Sequence, residues 1–375
     1  AAEAAERAWT LQPDNPDTRV QLLYTRSFVC DWRDRAALQQ QVVADLRSQL
    51  QQQLPCSLWP AASFRLLDDP GLQAQLARET ARRQLSVSGS RRPPTNPTAS
   101  HPGRLRIAYV SAGFRDFPFG HLSRRLYGLH DRDQFEIFAY SLQADATGQY
   151  GPQIAADCDQ FVDASRLSPG ELARQITEDG IQILVAHDTM LCSAHVETLA
   201  LRPAPVQVSW LYPGPVGELV DYLISDRVVT PAENLKYHTE RVACLPHCHF
   251  VTDNQAEIAP APSRADCGLP EDAFVFCCFN LCSKIEPPVF ASWMELLRQL
   301  PDSVLWLLSD LPTVQQNLRR AAEADGVDAD RLIFAGRQPR AAHLARHAVA
   351  DLFLDTYPYN AHTTAVDAMW TGLPL

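Results

Sequence analysis

Apolar residues recur at helical spacing through the first quarter of the chain. They then give way to short unbroken apolar runs separated by helical stretches. Residues 1–86 therefore read as helical. AAEAAERAWTLQPDNPDTRVQLLYTRS is a helix, a break at Pro13-Asp14-Asn15-Pro16, and a second helix. Asp34–Gln53 is amphipathic, with Leu38, Val42, Val43, Leu46 and Leu50 on one stripe.

Residues 87–103 (VSGSRRPPTNPTASHPG) are rich in Pro, Ser, Gly and Thr and read as a linker. Beyond it come apolar runs at Leu105–Val110, Phe135–Leu142, Ile183–Ala186, Val206–Leu211 and Tyr222–Ser225. A Pro-rich break at Ala259–Arg264 follows, then runs at Phe274–Phe279, Val304–Leu308, Leu332–Ala335 and Leu352–Leu354. Runs this apolar suit strands covered on both faces, as in a parallel sheet with crossover helices. The pattern predicts an α/β protein with two Rossmann-like lobes, residues 104–258 and 265–375, facing a cleft. Ligands belong at the carboxyl ends of the strands.

Composition narrows the function. The chain has 375 residues, 46% hydrophobic and 21% charged, a globular balance, and a formal net charge of −11. That charge argues against nucleic acid or an anionic membrane as partner. No apolar run approaches the roughly 18 residues of a membrane span, and the first thirty residues lack the apolar core of a signal peptide. Ten cysteines in such a chain point to thiols in a reducing cytoplasm rather than to disulfides. Cys244-Leu-Pro-His247-Cys248-His249 has metal-ligating types but no second ligand pair at zinc spacing, so it reads as a strand end with small buried thiols, and no metal site is expected. Only Lys236 and Lys284 are lysine among 33 basic residues, which makes each worth inspecting.

Neither a GxGxxG fingerprint nor a GxxxxGK[ST] loop is present, so a phosphate must be held by other means. Three segments could do so. His362-Thr363-Thr364-Ala365-Val366-Asp367 follows the run DLFLDT and a Tyr-Pro-Tyr-Asn turn. Its two threonines at a helix start offer hydroxyls and backbone N–H groups where the helix dipole favours an anion. Phe279-Asn280-Leu281-Cys282-Ser283-Lys284 leaves another strand and brings Lys284 to its carboxyl end, where an ammonium can neutralise a leaving diphosphate. Gln338-Pro339-Arg340-Ala341-Ala342-His343 follows a third strand, with Arg340 and His343 on one helical face. All three follow strands of one lobe, as a single pocket requires.

Together, FNLCSKI, PRAAHLARH, ADLFLDT, YNAHTTAVDAMWTGLP and ALRPAPVQVSWL resemble the catalytic region of the O-linked N-acetylglucosamine (O-GlcNAc) transferases, glycosyltransferase family 41. IAYVSAGFRDFPFGHL is similar to that family's opening strand and loop. The likeness covers Arg104 to Leu375. CDWRDRAAL at Cys30–Leu38 resembles the helical segment before the catalytic part of bacterial members, and the first helices resemble the tail of a tetratricopeptide repeat. The resemblance implies a two-lobed glycosyltransferase B (GT-B) fold. It also implies a cytoplasmic enzyme that moves N-acetylglucosamine from UDP-N-acetylglucosamine to serine or threonine hydroxyls of acceptor proteins or peptides, with inversion and without a metal or other cofactor. Carried over residue by residue, Lys284 binds the diphosphate and stabilises its leaving charge. His362, Thr363 and Thr364 bind the diphosphate at the helix start. Asp367 holds the ribose, and Gln338, Arg340 and His343 contact the uridine, with Arg340 standing where the family usually has lysine.

This chain also departs from the family. Phe117 stands where a loop histidine is usual, which leaves the expected base position empty, and His121, matching a second family histidine, is the catalytic candidate nearby. Asp188-Thr189-Met190-Leu191 replaces an N-G-Y-T-like stretch. Trp210-Leu211-Tyr212-Pro213-Gly214-Pro215-Val216-Gly217 has one glycine fewer than the family loop and proline for threonine. Leu281 replaces a polar nucleotide contact. Asp179 reads as a turn residue before a strand. The chain stops at Gly372–Leu375, so the second lobe is expected to be incomplete. Two further readings stay open: a non-catalytic UDP-sugar-binding or scaffold protein, and a relative that uses UDP-glucose.

Overall fold

The computed structural model describes residues 2–88, 103–143, 148–187, 193–211 and 214–375, with backbone alone at 193–195. Most of the expected linker, the stretch Asp188–Leu191, and Tyr212 and Pro213 of the altered glycine loop lie outside the described residues.

The chain divides into two units, one of residues 1–58, 62–68 and 255–375 and the other of 59–61 and 69–254. The helices of the front are α1 (Ala2–Leu11), α2 (Pro16–Ser27), α3 (Arg35–Gln51), α4 (Pro60–Leu66) and α5 (Pro70–Ser88). Asn15 caps α2 through its side-chain oxygen, which accepts from the Asp17 amide at 2.9 Å, with Pro16 at the first helical position. Of the stripe expected on α3, Leu38, Val42 and Leu46 are each at most 5% exposed, while Val43 and Leu50 are half-buried.

In the unit of residues 69–254 the elements run β1 (Leu105–Ser111), α6 (Pro118–Ser123), β2 (Phe135–Ser141), α7 (Tyr150–Ala156), β3 (Gln160–Asp163), α8 (Pro169–Glu178), β4 (Ile183–Ala186), α9 (Ser193–Ala200), β5 (Val206–Ser209), β6 (Tyr222–Ser225) and β7 (Arg241–Cys244). The strands form one parallel sheet, ordered β3-β2-β1-β4-β5-β6-β7. Ser168 and Glu171 form a reciprocal capping box at the start of α8, a device worth about 1 kcal/mol. Helix α5 belongs to this unit, with Ala81 and Leu85 in the apolar layer that covers one sheet face. Gly217, at φ +75°, passes so close to α5 that an added Cβ would lie 2.6 Å from the Ala81 Cβ.

In the other unit the elements are β8 (Phe274–Cys278), α10 (Pro287–Gln299), β9 (Ser303–Leu308), α11 (Pro312–Ala324), β10 (Leu332–Ala335), α12 (Arg340–Ala345), β11 (Leu352–Phe353) and α13 (Thr363–Trp370). This sheet is also parallel, ordered β10-β9-β8-β11. The front shares its core: Cys30 is buried with Phe276, Ile285 and Phe290, and Trp32 packs on Phe290 with ring centroids 5.2 Å apart. Arg35, at the start of α3, pairs with Glu286, the residue before α10, through two hydrogen bonds at side-chain exposures of 7% and 13%. A half-satisfied pair at such burial would be strongly unfavourable, so this contact specifies how the front docks on its own sheet.

Both units are thus parallel-sheet α/β structures. Among the described residues no helix is long and apolar enough to cross a membrane.

Candidate active site

In the four-stranded sheet the first strand, β8, lies between the second, β9, and the fourth, β11. The chain runs outward from β8 to β9 and β10 and then crosses back to β11 on the other side of β8, so the strand order reverses between β8 and β11, and the crevice at their carboxyl ends is the switch point where this architecture binds ligands.

Two polar side chains, one buried and one half-buried, organise that crevice. Asn280, 1% exposed just past β8, donates from Nδ2 to Thr356 Oγ1 at 3.0 Å and to Asp355 Oδ1 at 3.3 Å, and its Oδ1 accepts from the Thr364 hydroxyl. Asp355, just past β11, accepts from the Thr356 amide (2.6 Å), the Ala361 amide (2.7 Å) and Asn360 Nδ2 (3.2 Å). Thr356 Oγ1 donates to Tyr359 O at 2.9 Å. One carboxylate and one amide thus shape the whole turn from Thr356 to Ala361 and tie it to the start of α13.

Lys284 rests on this turn. It ends a short 3-10 turn, residues 282–284. Its Nζ donates to Asn360 O at 2.8 Å and lies 4.5 Å from the centre of the Tyr359 ring. Burial pushes the ammonium down to about 8; the nearby Arg65 guanidinium acts in the same direction, and Asp355 opposes it. A carbonyl and an aromatic face orient this lysine without neutralising it, which suits a group that waits for an anion. His362 precedes α13 and packs on Tyr359 at 5.2 Å. No side chain caps α13. The hydroxyl of Thr364 is committed to Asn280, so at this helix start the backbone amides and Thr363 are what an anion can use.

The stretch after β10 converges on the same helix. Arg340, first residue of α12, reaches Asp367 on α13 with two hydrogen bonds of 2.6 Å. Asp367 is buried, and His343 Nε2 lies 3.8 Å from its Oδ2. Gln338 is exposed on the connecting loop. Arg346 and His347 were not foreseen. Arg346 is 2% exposed, donates to Gly336 O at 2.8 Å and to His343 Nδ1, and lies 4.8 Å over the Phe279 ring; burial lowers it to about 10. It fixes the ring of His343, leaving Nε2 toward Asp367. The clue was in PRAAHLARH, where His343 and Arg346 repeat the three-residue spacing of Arg340 and His343.

Thus Lys284, Arg340, His343, His362, Thr363, Thr364 and Asp367 all lie in one unit at or beside one switch point. Leu281, 44% exposed, offers no polar group there.

His121 belongs to the other unit. It sits on α6 with Nε2 2.5 Å from Asp116 Oδ1 and its ring 4.8 Å from Tyr150. It is both a packing residue and half of a carboxylate–imidazole pair. Phe117, before α6, is 40% exposed with the Arg115 guanidinium 4.7 Å over its ring. The loop is tight: a Cβ on Gly120 would fall 2.1 Å from Arg115 O. His187, at the end of β4, is fully buried and stacks on Tyr109 at 5.0 Å. Asp179 ends α8, and its carboxylate accepts from Tyr140 at 2.6 Å and from Gln175.

Cys244 does end β7, but Cys244 and Cys248 are exposed rather than buried, because β7 is an edge strand. Among the described residues one group of three potential metal ligands occurs, Asp226, Cys248 and His249, with ligand atoms within 4.8 Å of one another. Asp226 already accepts from the Val228, Val229 and His249 amides and faces His249 Nδ1 at 2.6 Å. These bonds hold its carboxyl below the usual range against the opposing effect of burial, and they account for it as a loop organiser.

Comparison with known proteins bears on this arrangement. The sequence profile described as Glycosyl transferase family 41 matches residues 29–260 and 255–375. The chain is 35% identical over 371 residues to a probable UDP-N-acetylglucosamine--peptide N-acetylglucosaminyltransferase, SEC, of Arabidopsis thaliana, covering 94% of this chain and 38% of that protein. It is 27% identical to a UDP-N-acetylglucosamine--peptide N-acetylglucosaminyltransferase of Caenorhabditis elegans, covering 72% of this chain and 34% of that one. The chain thus spans just over a third of these relatives' length. Among solved structures it resembles a mutant of the Thermobaculum terrenum O-GlcNAc transferase, with a TM-score of 0.79 and 29% identity over 100% of this chain and 71% of that one.

Proposed function

The chain belongs to glycosyltransferase family 41, and from that premise we propose that it transfers N-acetylglucosamine from UDP-N-acetylglucosamine to serine or threonine hydroxyls of proteins or peptides, with inversion and without a metal ion. The hydroxyl oxygen bonds to the anomeric carbon as the bond from that carbon to the β-phosphate oxygen breaks. UDP departs with the electron pair, and the hydroxyl proton passes to a base.

The observation that carries this reading is Lys284, held un-neutralised at the switch point beside the start of α13. Departure of UDP is fast only where its charge is met, and an ammonium with helix-start amides supplies that without a cation. In this assignment Lys284, His362, Thr363 and Thr364 receive the diphosphate, Asp367 the ribose, and Gln338, Arg340 and His343 the uridine. His121, polarised by Asp116, is the proposed proton-exchanging residue, since Phe117 carries no proton to exchange. None of the nine described cysteines is paired in a disulfide, which fits a reducing, cytoplasmic setting.

Calorimetric titration with UDP in EDTA, on wild type and Lys284→Ala, tests the nucleotide half of the proposal. Metal-free binding that weakens at least tenfold on substitution is expected; a folded wild type that does not bind UDP overturns it. The exposed Phe117 favours a second reading, UDP-sugar binding without turnover. A donor panel separates the alternatives: label transferred from UDP-N-acetylglucosamine, from UDP-glucose, or from neither.

A further inference from the structure

Arg65 is treated differently from the other buried and half-buried arginines of the front. Arg19, Arg26 and Arg35 each have a carboxylate partner, in Asp45, Glu6 and Glu286. Arg65, half-buried near the end of α4, has neither an ion pair nor a hydrogen bond among the described residues. Its guanidinium instead packs 5.7 Å from the Phe28 ring and 5.6 Å from the Tyr359 ring. The nearest acidic side chain along the chain, Asp68, is committed elsewhere and accepts from the Tyr357 hydroxyl at 2.7 Å.

Tyr359 is also the ring on which Lys284 rests. The two cations lie no further apart than about 10 Å, the sum of their distances from that ring centre. Asp68 and Arg65 together hold the turn of residues 357–359 from the front, while Asp355 and Asn280 hold it from the strand ends. Two positive groups gathered on one aromatic ring repel each other in the free protein, and Arg65 contributes to the lowered proton affinity of Lys284. An entering anion relieves that repulsion. Guanidinium, with its planar fork of donors, is the cation best suited to phosphate oxygens.

We infer that Arg65 is a second cation of the nucleotide site and binds the diphosphate of the sugar nucleotide alongside Lys284. The inference rests on the proposed function above. It gives the helical front a part in holding the donor as well as any part in recruiting acceptors.

Calorimetry on the full chain tests it with three probes, UDP, UMP and uridine, on wild type, Arg65→Met, Arg65→Lys and Lys284→Met. Methionine keeps an apolar stem on Phe28 and Tyr359 while removing the charge. Arg65→Met should weaken UDP binding roughly tenfold or more, the loss of a hydrogen bond to a charged group. It should weaken UMP less and leave uridine within twofold. Arg65→Lys should recover part of the UDP affinity at unchanged thermal stability. UDP affinity within twofold of wild type in Arg65→Met overturns the inference. So does an equal loss for uridine and UDP, which is what a purely structural role gives. A wild type that binds no UDP overturns the functional proposal itself; a wild type that binds UDP beside an unaffected Arg65→Met removes only this inference.

Discussion

Arg340 and Asp367, 27 residues apart in sequence, are joined by two hydrogen bonds of 2.6 Å, one to each carboxylate oxygen. The carboxylate assigned to the ribose is therefore not a free acceptor but one whose plane is set by a guanidinium on the neighbouring helix. The arginine that replaces the family's usual lysine here can form both bonds at once, whereas an ammonium acts as a point charge.

Arg340→Ala should accordingly cost stability as well as affinity. Asp367 is 2% exposed, and removing its partner leaves a buried charge, a loss of about 3 kcal/mol, at the low end for buried pairs because Arg340 keeps a solvent-facing edge. Arg340→Lys should recover part of it. Urea unfolding checks this: an unchanged midpoint in Arg340→Ala would show that the pair contributes nothing.

Lys284 should leave a pH signature. Its proton affinity falls from the ordinary 10.5 to about 8, chiefly through burial. Between those values the unfolded chain binds a proton that the folded chain has lost, so this group makes stability rise with pH across that window. Wild type should show a steeper rise there than Lys284→Met, and identical slopes would contradict the assignment. A diphosphate favours the charged lysine, so UDP binding should take up protons near pH 8 and weaken as pH climbs. Titrations in two buffers of different ionisation enthalpy read this directly.

Asp355→Ala removes the acceptor of the Thr356 and Ala361 amides and of Asn360 Nδ2. The turn that carries Tyr359 and Asn360 loses its anchor, and Lys284 loses a defined seat. UDP affinity should drop tenfold or more. Asp355→Asn, which retains an acceptor oxygen, should lose less. Hydrogen exchange over residues 356–361 should accelerate in the alanine variant, and protection equal to wild type would refute the anchoring role.

His121→Ala and Asp116→Asn separate chemistry from binding. If His121 exchanges the acceptor's proton, His121→Ala lowers kcat at least a hundredfold, in the range of general acid–base contributions, with UDP affinity unchanged. Asp116→Asn, which weakens the polarisation at Nε2, should lower kcat less and shift its pH profile. Unaltered kcat in His121→Ala would leave it a packing residue against Tyr150.

The interior strands β4 and β6, and β10 at an edge of the four-stranded sheet, were legible because each is a short unbroken apolar run, and all three fall at the expected residues. The two strands not foreseen, β3 and β7, are the two edges of the seven-stranded sheet. Neither contains a fully buried residue, since a strand covered less completely need not be a continuous apolar run. For the same reason Cys244 and Cys248 lie exposed where the sequence suggested burial. Within the site, Lys284, His362, Thr363, Thr364 and Asp367 were readable as short motifs on strand ends and a helix start. The roles of Asp355 and Asn280 depend on bonds between segments some 75 residues apart, which no local pattern encodes. Arg65 was hidden for a related reason. Its significance lies in having no carboxylate partner among the described residues, and only the folded chain shows which charges have found partners.

The central claim is that Lys284 meets the charge of a departing UDP during transfer to protein hydroxyls. The most direct measurement is the incorporation of labelled N-acetylglucosamine from UDP-N-acetylglucosamine into a serine- and threonine-rich protein substrate, in EDTA, by wild type and Lys284→Ala. The account predicts stable label on hydroxyl side chains with wild type and none with the variant. A folded, UDP-binding wild type that transfers nothing, or a variant that transfers as fast as wild type, would contradict it.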